Sequence, residues 1–174
     1  MKIFFVSLLL ASFVSDDQGN LIPWKADRRL TWADFKARPL QGTDNAALTS
    51  SNINFNFGYG TKGFTYSISC NFDKSRSWAR VKTDYILAHE QAHFDIAEIH
   101  ARKLNKALGK YQYNEQTASK DLNKIYDQIM AEHHQMQLLY DKETNHSILQ
   151  DKQKEWLKKI SEQLKSLEAY ANYK

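Results

Sequence analysis

The sequence predicts a single α+β domain, with an antiparallel strand pair first and three long helices after it. Three observations carry this expectation. Apolar side chains alternate strictly from Ile53 to Phe72, helical periodicity fills the chain beyond Thr83, and 174 residues are enough for one core. Hydrophobic residues at 42 % and charged residues at 25 % are ordinary for a folded chain. With 6 Gly and 2 Pro, collagen-like and proline-rich classes are excluded. A lone cysteine, Cys70, excludes both an intramolecular disulfide and a cysteine-based zinc site. The formal charge of +4 comes from 24 basic and 20 acidic residues that are interspersed, so no nucleic-acid partner is expected.

Met1-Lys2 gives a positive start, and Ile3 to Val14 is apolar apart from Ser7 and Ser12. That stretch is too short to span a bilayer and has the form of a secretory signal. Residues 1–15 are therefore read as a signal peptide and residues 16–174 as one exported domain. The expected location is secreted or periplasmic, with no stable membrane insertion after cleavage. Residues 16–45 form an irregular lead-in, in which Thr31 is placed to cap a short helical turn from Trp32 to Phe35.

In the first strand Ile53, Phe55, Phe57 and Tyr59 share one face; in the second Phe64, Tyr66, Ile68, Cys70 and Phe72 do the same. Gly60-Thr61-Lys62-Gly63 is the turn between them, and Trp78 to Val81 suggests a further short strand. The first helix is expected from about Asp84 to Leu108, ending at Gly109, with Tyr85, Ala88, Ala92, Ile96 and Ile99 as its apolar stripe. A second runs from about Ala118 to Tyr140 and turns Leu122, Ile125, Ile129, Met136 and Leu139 inward. A third starts near Ser147, where Gln150 completes the pattern of a capping box, and buries Ile148, Trp156, Ile160, Leu164 and Leu167.

The first helix carries His89-Glu90-Gln91-Ala92-His93. Histidines four residues apart stand one above the other on a helix face, so both imidazoles can reach one metal ion. Glu90 then sits beside the metal rather than on it, where a carboxylate can take a proton from an activated water. An antiparallel sheet just before such a helix offers an edge to which an extended peptide can add. A catalytic zinc needs a third protein ligand. His100 is about 10 Å further along the helix axis, and Glu98 points away from His89. The open candidates are Glu132, the His133-His134 pair, and the polar run from Tyr140 to His146, which is read as a loop and includes Glu143.

Several stretches resemble the DUF922 family: Leu30-Thr31-Trp32-Ala33-Asp34-Phe35, Ala46-Ala47-Leu48-Thr49-Ser50, Ser77-Trp78, His89 to Ile96, and Tyr140-Asp141-x-Glu143-Thr144-x-His146. The resemblance implies a bacterial exported protein of zincin-like fold, regarded as a zinc-dependent protease acting on a peptide or protein substrate. It implies His89, His93 and His146 as Zn²⁺ ligands and Glu90 as catalytic base. One departure is Ser147, where the family usually has glycine. Within the same stretches Asp95 is placed either to orient an imidazole or to pair with a basic side chain such as Arg102. Tyr140 is a candidate to stabilise the oxyanion. The rival reading is a non-catalytic cell-envelope binding module on the same fold, in which Glu90 has no chemical role.

Overall fold

The computed structural model describes residues 19–60 and 63–173. The signal segment Ile3 to Val14, the boundary after residue 15, and Thr61-Lys62 of the hairpin turn lie outside the described residues. The strands are β1 (Leu21–Pro23), β2 (Ala47–Leu48), β3 (Ser51–Gly60), β4 (Gly63–Asp73) and β5 (Trp78–Ala79). The helices are α1 (Asp84–Leu108), α2 (Ala118–Thr144) and α3 (Gln150–Ser166). The α+β architecture expected from the sequence is the one observed.

A three-stranded antiparallel sheet has the order β1-β4-β3, and β2 pairs with β5 in a separate two-stranded sheet. The hairpin register sets Ile53 opposite Cys70, Phe55 opposite Ile68 and Phe57 opposite Tyr66, so the two alternating sets share one face as expected. Cys70 is buried in the core. β1 and β2 have no counterpart in the sequence reading, because two or three residues are too few to show a period.

The helix α1 lies between the sheet and the other helices. Phe94, Ala97, Ala101 and Leu104 join Ile53, Ile68 and Phe72 on one side, while Ala92, Ile96 and Ile99 pack with Tyr140, Trp156 and Ile160 on the other. The single stripe expected for α1 is therefore corrected: its middle is enclosed, and His89, Glu90, Gln91, Asp95, Glu98, His100 and Arg102 are all buried. Thr83 starts the helix by accepting the Ile86 N–H at 3.2 Å, and Gly109 follows its last turn.

Buried polar groups must find partners, and those of α1 organise the chain around it. Asp95 accepts from Trp24 Nε1 at 2.8 Å, Gln91 Nε2 at 2.8 Å and Arg29 Nη1 at 3.0 Å. Gln91 Oε1 accepts the Leu30 N–H at 2.7 Å. Asp95 thus fastens the lead-in and, of its two expected roles, takes the ion pair with a basic side chain; the partner is Arg29, while Arg102 pairs with Glu98 at 2.8 Å. Within the lead-in, a 3₁₀ turn at Trp32–Asp34 is closed by the Thr31 N–H donating to Asp34 at 2.7 Å.

Two boundaries differ from expectation. α2 continues one turn past Tyr140 to Thr144, whose hydroxyl bonds the Tyr140 carbonyl at 2.7 Å, so most of the expected polar loop is helix. α3 begins at Gln150 after Leu149, not at Ser147. Ile148 consequently lies outside the helix and is 68 % exposed, and Leu139 on α2 is also exposed. Among the described residues no helix is long and apolar enough to cross a membrane.

His100 is fully buried, bonds the Ile96 carbonyl through Nδ1 at 2.8 Å, and lies with its ring centroid 5.4 Å from that of His133. Burial pulls its pKa down to about 4 against the Ile96 contact, with Lys103 adding to the fall. The folded ring is neutral where the unfolded one, at 6.5, takes a proton, so stability rises with pH between these values. Urea denaturation should give full stability above pH 6.5 and a decline toward pH 4 of at most about 1.4 kcal/mol per pH unit from this group. The decline should be shallower in His100→Leu.

Candidate functional site

The cluster is built from two helix turns that face one another. On α1, the four-residue spacing sets His89 Nε2 and His93 Nε2 3.2 Å apart. From the last turns of α2, Asp141 Oδ1 approaches them at 3.2 and 3.0 Å. Among the described residues these three side chains form the one group of histidine, cysteine and carboxylate ligand atoms close enough to hold a metal ion. Their separations are near the ~3.3 Å between neighbouring ligands of a tetrahedral ion with 2.0–2.1 Å bonds.

The surroundings hold the two rings in place. Tyr140 is fully buried, stacks on His89 at a centroid distance of 4.5 Å and meets His93 edge-on at 5.0 Å. Its hydroxyl faces the His89 carbonyl at 3.5 Å, and its ring packs against both imidazoles. His93 Nδ1 is 2.6 Å from Gln137 Oε1. Glu90 is buried beside the histidines; its Oε2 and the Nδ1 of His89 have no hydrogen-bond partner.

Proximity and burial act in opposite directions on these groups. Burial pushes the Asp141 carboxyl up, but its bonds to His89 and His93 outweigh this and hold it well below the usual carboxylate range. His89 is lowered, chiefly by burial and against its contact with Asp141. His93 is raised: burial opposes, yet the Asp141 bond and the Glu90 and Asp141 charges prevail.

The cluster opens into a cleft of about 410 Å³. One wall is the extended segment from Asn45 to Ser51; the other is the end of α2 with His146 and Ser147. The Thr49 hydroxyl ties the first wall to α1 by donating to the Glu90 carbonyl at 3.1 Å. Of the expected residues, the fold brings His89, Glu90 and His93 together, with His146 at the rim. His146 Nδ1 is 3.6 Å from Asp141 Oδ1, and its side chain is 58 % exposed. Glu132 pairs with Lys103 at 3.3 Å, Glu143 accepts from Trp156 Nε1 at 2.7 Å, and Glu98 and His100 face elsewhere. His133 and His134 line the cleft.

Asp141 lies within the polar run expected to offer a third ligand, whereas Gln137 lies outside every expected site. A usable signal was present: His133, Gln137 and Asp141 recur at four-residue spacing, as His89 and His93 do. The helical turn from Tyr140 to Thr144 is what carries Asp141 into this series.

The sequence model described as "Bacterial protein of unknown function (DUF922)" matches residues 14–147. The chain belongs to the DUF922 family. No curated protein and no solved structure matches it. The DUF922 match spans the cleft wall, the cluster and His146, and leaves α3 outside.

The DUF922 match closes on an unusual backbone. Asn145, His146 and Ser147 have φ of 48°, 50° and 70°, three successive left-handed residues of which none is glycine. Asn tolerates this region; Ser does so at a cost that glycine avoids. Ser147→Gly should therefore raise stability by about 0.5–1 kcal/mol, read as a higher urea midpoint at unchanged slope.

Proposed function

We propose that this protein is an exported zinc-dependent peptidase of zincin-like fold, with His89, His93 and Asp141 as the metal ligands and Glu90 as the general base. The observation that carries the reading is the meeting of two imidazole nitrogens and a carboxylate oxygen at 3.0–3.2 Å, with the unpartnered Glu90 carboxylate buried beside them. Two imidazoles and one carboxylate are a donor set that suits zinc and leaves a position for substrate. His146 replaces Asp141 in the assignment drawn from family resemblance. The closer approach and lower exposure of Asp141 favour it as third ligand.

Bound zinc would supply Lewis-acid polarisation of the scissile carbonyl and activation of water. The remaining chemistry falls to the chain. Glu90 Oε2 accepts a proton as water adds to the carbonyl carbon, then returns it to the amide nitrogen as the C–N bond breaks. The buried setting of Glu90 keeps this carboxylate without a competing partner. The segment from Asn45 to Ser51 lines the cleft and leads into the outer strand β3, an extended wall that suits an extended peptide.

Two measurements test the reading. Zinc content by atomic absorption should be equal in wild type and Glu90→Gln, while hydrolysis of fluorescent casein falls by about 10² or more; an active Glu90→Gln protein removes the base from the mechanism. In zinc titrations, Asp141→Ala should lose affinity by about 100-fold and His146→Ala by less than about 10-fold. The reverse order would return the third ligand to His146.

A further inference from the structure

The hydrogen bonds of Gln137 fix where protons sit on two histidines. Its side-chain amide touches three atoms: His93 Nδ1 at 2.6 Å, the His93 main-chain oxygen at 2.9 Å and His133 Nε2 at 3.0 Å. A carbonyl oxygen only accepts, so the amide nitrogen must be the group facing it. The amide oxygen then faces His93 Nδ1, and at 2.6 Å an oxygen acceptor requires a proton on that nitrogen. The second amide hydrogen goes to His133 Nε2, which must be the bare nitrogen of that ring. Every assignment follows from one main-chain acceptor, with no free choice of amide flip or tautomer.

The consequence appears at the other edge of His93. With Nδ1 protonated, Nε2 is the nitrogen whose lone pair a cation can use; without a cation it donates to Asp141 Oδ1 at 3.0 Å, with His89 Nε2 3.2 Å away. We propose that Gln137 is a positioning residue: held by the His93 carbonyl and by His133, it keeps the proton on His93 Nδ1 and so presents Nε2 to a cation in the cluster. His89 is held differently. Its Nδ1 is buried with no partner, and its ring is fixed by stacking on Tyr140. Only one of the two histidines therefore has its protonated edge set by a side-chain hydrogen bond, and His133, which lies outside the ligand set, acts through Gln137. Second-layer hydrogen bonds of this kind tune both ring orientation and ligand basicity.

The proton assignment stands whatever the cluster binds; the effect on affinity rests on the zinc reading above. The test uses the full chain, ¹⁵N-labelled and stripped of metal with a chelator, and reads the histidine nitrogens by long-range ¹H–¹⁵N NMR at pH 8.5. Zinc affinity is then measured against a competing chromophoric chelator. Wild type should show a proton on His93 Nδ1. Gln137→Leu should lose that protonated Nδ1 and bind zinc about 10–100-fold more weakly. Gln137→Glu still offers an acceptor to Nδ1–H, so it should keep the proton there and lose less affinity than the leucine variant. An unprotonated Nδ1 in wild type, or equal losses in the two variants, overturns the proposal. Should Gln137→Leu fail to fold by circular dichroism, the wild-type spectrum and Gln137→Glu still decide. A wild-type protein that binds no zinc refutes the metal reading alone, since the NMR result is independent of it.

Discussion

The enclosure of α1 is the constraint on which the rest of the structure depends. A helix covered on one side by a sheet and on the other by two helices has no solvent to satisfy its polar residues. Yet the middle of α1 carries His89, Glu90, Gln91, Asp95, Glu98, His100 and Arg102, all buried. Each unpaired group there would cost about 1–3 kcal/mol. The surrounding chain is therefore arranged as a set of partners. Asp95 and Gln91 draw in the lead-in through Trp24 and Leu30. Glu98 and Arg102 draw in the last segment through the Tyr173 hydroxyl and the Leu164 carbonyl.

The same requirement explains why the cluster is where it is. His89 and His93 face the end of α2, and that helix answers with Gln137, Tyr140 and Asp141, which cover both imidazoles. Three residues of α1 have buried atoms without a partner, Tyr85, His89 and Glu90, and the last two are adjacent and lie at the cleft. Buried polar atoms without partners are uncommon in folded proteins, and two such atoms lie beside the three potential ligand atoms. Elsewhere along α1 the pairing is nearly complete, which is the behaviour of a structural interior.

The end of α2 adds a second constraint. The extra turn to Thr144 carries Asp141 up to the imidazoles, and the chain must then reverse within a few residues to begin α3. It does so through three left-handed residues, Asn145, His146 and Ser147, and this reversal leaves His146 at the rim of the cleft. Backbone strain of this kind persists where neighbouring contacts over-determine it, and it recurs at functional sites. Here the reversal also costs α3 its expected first turn, so that Ile148 is left exposed.

The hairpin, the three helices and the two histidines of the cluster were legible in the sequence because each rests on local periodicity. Alternation over 53–72 placed Ile53, Ile68 and Cys70 on the buried face, and the four-residue spacing placed His89 and His93 together. Helix ends were less legible, since Thr144 prolongs α2 by a side-chain bond that propensity does not register. What joins α2 to α1 was less legible still. Asp141 reaches His93 across 48 residues and Gln137 reaches it across 44, and the four-residue spacing of His133, Gln137 and Asp141 shows that they share a face but not what that face meets. Spacing alone is enough to say which residues share a helix face. Which faces meet depends on the packing of an enclosed helix, several of whose polar groups find their partners only in distant parts of the chain.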